Sequence, residues 1–288
     1  MPPPTSDADE PIVGVCIPVY DEVDAIGATL RSVWATDYPR EQLRVVVAVD
    51  GGDARVAAAA RAEGAMVVEV VPNQGSYAAR NAALAALDPA ASCVLFTDTD
   101  CEVAPGWVRA HVAALDTAAL SGGGVDFRFA HRRPNPAEWV DSTRHLRQQT
   151  YVELDGFAAT CNLAVRRDVF ARVQFDSTLR TGGDADFCLR AKAAGFGLVY
   201  TPDARITHPA RSSATALLAK VRRIAGGAPR VRALQGSLRR PEARLSLGPY
   251  RKARAAGYRV GPWWALRACL LDYRAQRILE RAFDPPVA

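Results

Sequence analysis

A short apolar run ends in two aspartates in the stretch Cys93-Val94-Leu95-Phe96-Thr97-Asp98-Thr99-Asp100. The run has the length of a buried strand, and α/β sheets place ligands beyond the carboxyl ends of their strands. Two carboxylates at that position suit a hard divalent cation, which takes oxygen ligands from carboxylates and from substrate phosphates. An isolated Asp-x-Asp pair is more often a pair of loop residues that cap a turn. Whether this pair binds a cation or caps a turn therefore depends on the motifs in the rest of the chain.

Length and composition predict one catalytic-sized core with an appended segment. The chain has 288 residues, of which 49% are hydrophobic, an ordinary share for a soluble globular protein. No window approaches the roughly 20 uninterrupted apolar residues that a membrane-spanning helix needs. Residues 1–10 are polar and proline-rich, without the basic start and apolar stretch of a signal peptide. We therefore expect a disordered segment over residues 1–10 and a cytoplasmic protein, which could be peripheral to the inner face of the membrane.

The net charge of +5 hides an uneven distribution along the chain. From Arg205 onward, 18 basic residues stand against 4 acidic ones, a balance of +14, whereas the preceding residues carry 18 against 27, a balance of −9. A basic tail of this kind indicates an anionic partner: phospholipid, polyprenyl phosphate or nucleic acid. Nucleic acid is the least expected of these, because no fold signature of a nucleic-acid-binding protein accompanies the arginines.

Cysteine and histidine spacing predicts no local metal or disulfide motif. The cysteines lie at positions 16, 93, 101, 161, 188 and 269, without CxxC spacing and in part within apolar runs. We expect them to be reduced and mostly buried. The four histidines form no HExxH or similar pattern. Any metal ion is therefore expected to be held mainly by aspartates.

Strand-like and helix-like segments alternate from Pro11 onward, which is typical of a mostly parallel sheet with helices on both faces. The predicted strands cover residues 12–19, 43–49, 66–71, 94–97 and 197–201. Helices are predicted over 26–34, over 77–87 with Ser76 as N-cap, and from Asp184, as N-cap, to Gly195. Residues 121–149 are expected to be irregular, since Gly122-Gly123-Gly124 favours turns, and a further turn is expected at Pro202-Asp203.

Beyond Arg211 the strand pattern ends, and arginine-rich helical sequence follows. We therefore predict one domain over residues 11–211 and a helical basic extension over 212–288. Within residues 263–283, apolar residues line one side of a helix and arginines recur every seven residues on another. This helix could lie on an anionic membrane surface with Trp263 and Trp264 at the headgroups. The alternative is a terminal helix that packs on the domain with its arginines in water.

Four further motifs accompany the aspartate pair. They are Ile17-Pro18-Val19-Tyr20-Asp21-Glu22, Val49-Asp50-Gly51-Gly52-Asp53, Asn73-Gln74-Gly75-Ser76-Tyr77-Ala78-Ala79-Arg80-Asn81 and Thr181-Gly182-Gly183-Asp184-Ala185-Asp186-Phe187-Cys188-Leu189-Arg190. Together the five motifs, spread over about residues 11–210, resemble those of the inverting glycosyltransferase family 2, whose nucleotide-sugar-binding domain has the Rossmann-like GT-A fold. The resemblance implies a metal-assisted enzyme of hexosyltransferase type. Its donor would be a sugar linked to UDP, GDP or dTDP, and its acceptor a hydroxyl of a polyprenyl phosphate, saccharide or small metabolite.

The resemblance also implies roles for individual residues. The nucleotide-sugar is expected to contact Pro18, Tyr20, Glu22, Asp50, Arg80 and Asp98. The expected ligands of Mn²⁺ or Mg²⁺ are Asp100 and His208. Asp184 is expected to act as the general base that deprotonates the acceptor hydroxyl, and Asn162 and Asp186 are expected on the acceptor side.

The chain departs from the family pattern at two glycines. Gly51 stands where a second aspartate is common, and Gly183 stands where glutamate is frequent. These departures keep an alternative open: a catalytically silent nucleotide-sugar-binding protein or membrane-associated scaffold. A nucleotidylyltransferase is disfavoured, because residues 18–24 lack the glycine-rich loop that such enzymes have after their first strand.

Overall fold

The computed structural model describes residues 10–235 and 242–283. All but the last residue of the segment expected to be disordered, 1–10, lies outside the described residues. The chain divides into two compact units. One comprises the residues up to Asp126 together with Gln148–His208, and the other comprises Phe127–Arg147 together with the residues from Pro209 onward.

The first unit is built on an eight-stranded mixed sheet in the order β3-β2-β1-β4-β7-β6-β8-β5. The strands are β1 (Val13–Val19), β2 (Leu43–Asp50), β3 (Met66–Val70), β4 (Cys93–Thr97), β5 (Glu102–Val103), β6 (Leu120–Arg128), β7 (Asn162–Arg166) and β8 (Leu198–Pro209). β1 to β4 pair in parallel, with Val13 in register with both Leu43 and Cys93. β7 runs antiparallel to β4 and to β6. The carboxyl ends of the four parallel strands therefore meet at one edge.

Ten α-helices are described. They are α1 (Val23–Trp34), α2 (Ala54–Ala62), α3 (Ser76–Ala86), α4 (Trp107–Leu115), α5 (Pro136–Arg144), α6 (Gln148–Thr150), α7 (Gly183–Ala193), α8 (Ala214–Gln235), α9 (Gly248–Ala255) and α10 (Pro262–Phe283). In the first unit, every residue of β1 and β4 is buried, as expected for strands covered on both faces. Phe96, Phe175 and Phe187 form an aromatic centre, with ring centroids 5.3 and 4.4 Å apart. All six cysteines are buried and free, as predicted.

Two helices begin at a glycine instead of the predicted N-cap. The N-cap of α3 is Gly75, with φ 95°, and the N-cap of α7 is Gly182, with φ 76°. Both angles lie in the left-handed region that glycine adopts without steric cost. The predictions of Ser76 and Asp184 as N-caps were therefore wrong. Asp184 instead lies within the first turn of α7.

The region predicted to be irregular contains a nine-residue strand, β6, and a helix, α5. A Cβ on Gly122 would lie 2.7 Å from the Cβ of Ala158, and one on Gly123 would lie 2.2 Å from the carbonyl oxygen of Ala204. These glycines allow close approach within a sheet, so the predicted turn was wrong. The turn predicted at Pro202-Asp203 was also wrong, because β8 continues through it. Proline is tolerated in a strand where its missing N–H is not needed by a neighbour.

The second unit is helical, as predicted for the tail, and it includes α5 from the middle of the sequence. Its apolar cluster contains Ala137, Val140, Leu217, Val221, Ala268, Leu271 and Ala275. Arg144 forms a two-point ion pair with the buried Asp272, with nitrogen–oxygen distances of 2.5 and 2.6 Å. Asp141 is fully buried and accepts hydrogen bonds from Lys220 and His145, each at 2.8 Å. None of the helices in the described ranges has the length and apolarity to cross a bilayer.

Candidate active site

The residues predicted to bind the donor lie at the edge where the parallel strands end. Pro18 is the penultimate residue of β1, Asp50 is the last residue of β2, and Asp98 directly follows β4. Tyr20 and Glu22 follow β1 and are exposed. The parallel register of β1, β2 and β4 brings these three chain segments to the same edge.

Buried hydroxyl groups fix the loop that carries the aspartate pair. Thr99, between the two aspartates, donates from Oγ1 to the carbonyl of Pro18 at 2.8 Å. Thr29, a buried residue of α1, donates to the carbonyl of Cys101 at 2.7 Å and also contacts the carbonyl of Thr99. The backbone of the loop is thereby tied to β1 and α1. The Asp98 and Asp100 side chains remain partly exposed at the edge of the sheet.

Asp98 pairs with a buried guanidinium. Arg80, on α3, donates from Nη2 to Oδ1 of Asp98 at 2.5 Å and is only 3% exposed. Its Nε is buried without a hydrogen-bond partner among the described residues. Burying a cation is costly unless it is paired, so Asp98 stabilises Arg80 where it lies. The unused Nε donor and the positive charge together suit an anionic ligand beside Asp98.

Asp50 organises the turn that opens α3. Its buried carboxylate accepts hydrogen bonds from the amides of Gln74 (2.7 Å) and Gly75 (2.8 Å) and from Nδ2 of Asn73 (3.0 Å). A carboxylate has about four acceptor positions, so these bonds use most of its capacity. A contact from Asp50 to a nucleotide base would have to use the capacity that remains.

Gly51 has a conformation and a neighbour that explain the missing second aspartate. Its φ of +107° is rarely adopted by residues with a side chain, and an added Cβ would lie 2.9 Å from Cε2 of Tyr20. The Tyr20 ring covers Gly51 yet is 56% exposed. This edge of the sheet therefore offers an aromatic face in the place where an aspartate is common.

Asp100 and His208 lie close together, as their predicted metal-binding role requires. The Nε2 of His208 is 3.7 Å from Oδ1 of Asp100, and ligand atoms of Asp100, Cys101 and His208 all lie within 4.8 Å of one another. A carboxylate oxygen and an imidazole nitrogen suit Mn²⁺ and related ions, so these residues fit a divalent cation. The Cys101 thiol was treated as a core residue at the sequence level. Burial raises the pKa of the Cys101 thiol well above the ordinary value, which keeps this thiol protonated.

Asp184 lies half-buried at the start of α7. Its Oδ1 accepts a hydrogen bond from the amide of Ala185 at 3.0 Å and lies 3.5 Å from the hydroxyl of Tyr77. Burial raises the pKa of this carboxyl, and the nearby charge of Arg80 opposes the rise. A raised pKa improves a carboxylate as a base, because it lies closer to the operating pH.

Two residues at the edge were not among those predicted. Tyr77 contacts Asp184, and Arg180 donates from Nη1 to Oδ1 of Asn73 at 3.0 Å. Arg180 also lies against Gly75, where an added Cβ would be 3.0 Å from its Nη1. Both residues adjoin or belong to motifs that the sequence singled out. Their position in those motifs was the available signal.

Asn162 and Asp186, predicted on the acceptor side, are fully buried and engaged by the protein. Asn162 accepts from Trp107 (2.8 Å) and His111 (2.9 Å) and donates to the carbonyls of residues 124 (2.9 Å) and 204 (2.8 Å). Asp186 pairs with Arg190 one turn along α7, at 2.5 Å. A contact from Asn162 to an acceptor would require one of its four hydrogen bonds to break.

Comparison with known proteins addresses the family of this chain. Residues 14–174 match the model of the family described as Glycosyl transferase family 2. The chain is similar to glycosyltransferase AglE of Haloferax volcanii, with 32% identity over 212 residues that cover 70% of this chain and 68% of the relative.

Solved structures with a similar fold include the mannosyltransferase PcManGT from Pyrobaculum calidifontis in complex with GDP-Man and Mn²⁺. It is 19% identical, with a TM-score of 0.58 and coverage of 96% of this chain and 75% of that one. TarS 1–349 from S. aureus in complex with UDP-GlcNAc is 18% identical, with a TM-score of 0.53 and coverage of 74% and 65%. The predicted GT-A fold is thereby confirmed. Since the family model spans more than half of the chain and AglE exceeds 30% identity over most of it, this protein belongs to glycosyltransferase family 2.

Proposed function

We propose that this protein transfers a hexosyl group, with inversion, from a nucleotide-sugar to an acceptor hydroxyl, with Asp184 as general base. One observation carries the proposal. A single edge of the sheet holds a half-buried carboxylate of raised pKa, the buried Arg80 paired with the partly exposed Asp98, and the Asp100–His208 set that fits a cation. These are a base, an anion-binding group and a metal-binding set, the parts that sugar transfer from a nucleoside diphosphate needs.

The donor is proposed to be a sugar linked to UDP, GDP or dTDP. PcManGT was solved with GDP-Man and TarS with UDP-GlcNAc, which makes these two the first donors to test. The exposed ring of Tyr20 can stack on the base, and Arg80 lies where it can attract the diphosphate. Asp100 and His208 would hold Mn²⁺ or Mg²⁺, and a bound cation supplies Lewis-acid stabilisation of the leaving diphosphate.

The proposed reaction is a single displacement. The acceptor oxygen forms a bond to the anomeric carbon while the bond from that carbon to the diphosphate oxygen breaks, and the hydroxyl proton passes to Asp184. Attack from the side opposite the leaving group inverts the anomeric configuration. Holding the two substrates in line supplies much of the rate, since orientation alone gives effective molarities of about 10⁵ M or more.

We propose further that α10 rests on an anionic membrane surface. Trp263, Leu266 and Leu270 lie on one face of the helix and are 77%, 48% and 39% exposed, and Arg267 and Arg274 are exposed beside them. Apolar side chains flanked by arginines suit an interface with anionic lipid. Trp264, which the sequence placed at the headgroups, is half-buried. Its Nε1 donates to the carbonyl of residue 134 at 3.0 Å.

The donor site is tested by calorimetric titration with UDP, GDP and dTDP, each with and without Mn²⁺. We expect metal-dependent binding of at least one nucleotide, which Asp100→Ala abolishes. Asp184→Asn should still bind the nucleotide but should no longer release nucleoside diphosphate from the matching nucleotide-sugar. This release is measured with water, a short polyprenyl phosphate, a saccharide and small hydroxyl compounds as acceptors. A folded protein that binds no nucleotide would support the silent-scaffold alternative.

The membrane surface is tested by co-sedimentation with phosphatidylglycerol and phosphatidylcholine vesicles. We expect binding to the anionic vesicles only, and its loss when Trp263, Leu266 and Leu270 are all changed to serine. Leu245→Ser with Leu247→Ser is the matched control, since both leucines are exposed and lie outside α10. Equal sedimentation of the wild-type protein with and without anionic lipid would contradict this part of the proposal.

A further inference from the structure

Tyr77 is a buried tyrosine in contact with the residue proposed as the base. It lies in the first turn of α3 and is 6% exposed. Its ring stacks on Phe175, with centroids 6.0 Å apart and planes inclined by 22°. Its hydroxyl lies 3.5 Å from Oδ1 of Asp184. The side chain thus joins the helix that carries Arg80 to the helix that carries Asp184.

The ring also packs against Gly183, the residue at which α7 begins. A Cβ added to Gly183 would lie 2.6, 2.7 and 2.8 Å from three carbons of the Tyr77 ring. These distances are far shorter than an ordinary carbon–carbon contact of about 3.5–4.0 Å. The aromatic ring therefore fills the space in which a side chain at 183 would lie, directly before the proposed base.

We infer that Tyr77 is a positioning residue for the Asp184 carboxylate: its ring seats the first turn of α7, and its hydroxyl donates to Oδ1. This inference rests on the proposed function, in which Asp184 takes the acceptor proton. Burial raises the pKa of the Tyr77 phenol, so the hydroxyl remains a hydrogen-bond donor throughout the neutral range. A donor beside one oxygen orients the carboxylate and leaves the other oxygen for the substrate.

The other charged or titratable groups around Asp184 come from three elements. Arg80 on α3 favours the ionised carboxylate, Asp98 after β4 opposes it, and Cys188 lies one turn along α7. Without the Tyr77 hydroxyl, the amide of Ala185 and the charge of Arg80 remain as the groups that favour ionisation. Because a hydrogen bond to the charged form lowers a carboxyl pKa, its loss should raise the pKa of Asp184.

Tyr77→Phe tests this inference, since it keeps the ring against Gly183 and removes only the hydroxyl. Release of nucleoside diphosphate is followed against pH with water as acceptor, so no natural acceptor is needed. We expect kcat at neutral pH to fall about tenfold, because the variant loses one hydrogen bond to a charged group. The acid limb of the pH profile should shift to higher pH, with KM for the nucleotide-sugar unchanged.

Tyr38→Phe is the matched control. Its buried hydroxyl donates to the carbonyl of Pro11 at 2.6 Å, before the start of β1 and so at the opposite edge of the sheet. This control should lower the melting temperature and leave the pH profile unchanged.

The outcomes separate the inference from the proposed function. If Asp184→Asn is inactive and Tyr77→Phe has the wild-type kcat and acid limb, the positioning role is overturned while the base assignment stands. A uniform loss of kcat in Tyr77→Phe, with a lower melting temperature and no shift of the acid limb, would also overturn it, because that pattern indicates a purely structural residue. An active Asp184→Asn would instead overturn the base assignment on which the inference rests.

Discussion

Replacement of Gly183 by alanine should destabilise the protein through a single contact. Gly183 has no positive φ, so an alanine there incurs no backbone strain. The new methyl group would lie 2.6–2.8 Å from the Tyr77 ring. That ring cannot move freely, because Phe175 stacks on it, and Phe175 in turn stacks on Phe187 at 4.4 Å. Either the aromatic group or the start of α7 has to shift.

The size of the effect follows from the shortfall in distance. An ordinary contact begins at 3.4 Å, so the methyl group and the ring must separate by about 0.6–0.8 Å. Overpacking of this kind typically costs about 1–3 kcal/mol, and the higher helix propensity of alanine offsets at most about 1 kcal/mol. We expect a net loss of about 1–2 kcal/mol, or roughly 3–6 °C in melting temperature. A shift of Asp184 approaching 1 Å could reduce kcat by about 100-fold.

A double-mutant cycle isolates this contact. Thermal and urea denaturation are measured for Gly183→Ala, Tyr77→Ala and the double variant, with Gly197→Ala as control because its Cβ would meet nothing within 4 Å. Gly183→Ala should be destabilising with Tyr77 present and nearly neutral without it, while the control stays within about 0.5 kcal/mol of wild type. Equal destabilisation in both backgrounds would refute the steric explanation, as would a Gly183→Ala protein with wild-type stability.

Three other residues, Asp141, Asn162 and Asp184, give further predictions. Asp141→Asn leaves the buried Lys220 without its carboxylate partner. Urea denaturation should show that the free energy of unfolding falls by about 3–5 kcal/mol, and adding Lys220→Met should recover much of this loss. Burial alone would raise the pKa of Asp141, but His145 and Lys220 lower it. The stabilisation by this carboxylate is therefore present above the unfolded pKa of about 4 and is lost as the pH falls further. Melting curves of wild type and Asp141→Asn between pH 3 and 7 test this, and a difference in melting temperature that stays the same at every pH would contradict it. Asn162→Ala removes four buried hydrogen bonds and should lower the unfolding free energy by at least about 3 kcal/mol, whereas a wild-type melting temperature would contradict its structural role. The wild-type activity should fall on acidification with a midpoint above the ordinary aspartate pKa of about 4, because the pKa of Asp184 is raised; a flat profile down to pH 4 would contradict a general base of this kind.

The parallel strands and their polar ends could be predicted from sequence because both signals are local. β1, β2 and β4 are apolar runs whose last or following residues include Pro18, Asp50 and Asp98. Strand direction then brings those residues to one edge without any knowledge of side-chain contacts. The family resemblance also rests on short, consecutive motifs, and the match of residues 14–174 to the family model confirmed it.

Features that depend on a distant neighbour could not be predicted in this way. Gly122 and Gly123 have the composition of a turn, but Ala158 and Ala204 approach them so closely that only glycine fits within the strand. The proximity of Cys101 to His208 depends on two segments more than 100 residues apart. The contact of Tyr77 with Asp184 likewise joins α3 to α7. Periodicity carries no information about such pairs.

The two glycine departures from the family pattern share one physical explanation. Gly51 lies beneath the ring of Tyr20, and Gly183 lies beneath the ring of Tyr77, each with too little space for a Cβ. Each ring also brings a group to the edge of the sheet: Tyr20 has an exposed face, and Tyr77 has a hydroxyl beside Asp184. Stacking accepts any base, because every base has a π-face. If Tyr20 stacks on the base as proposed, the site should therefore discriminate little between bases, while Tyr77 keeps a polar group beside Asp184 in spite of Gly183.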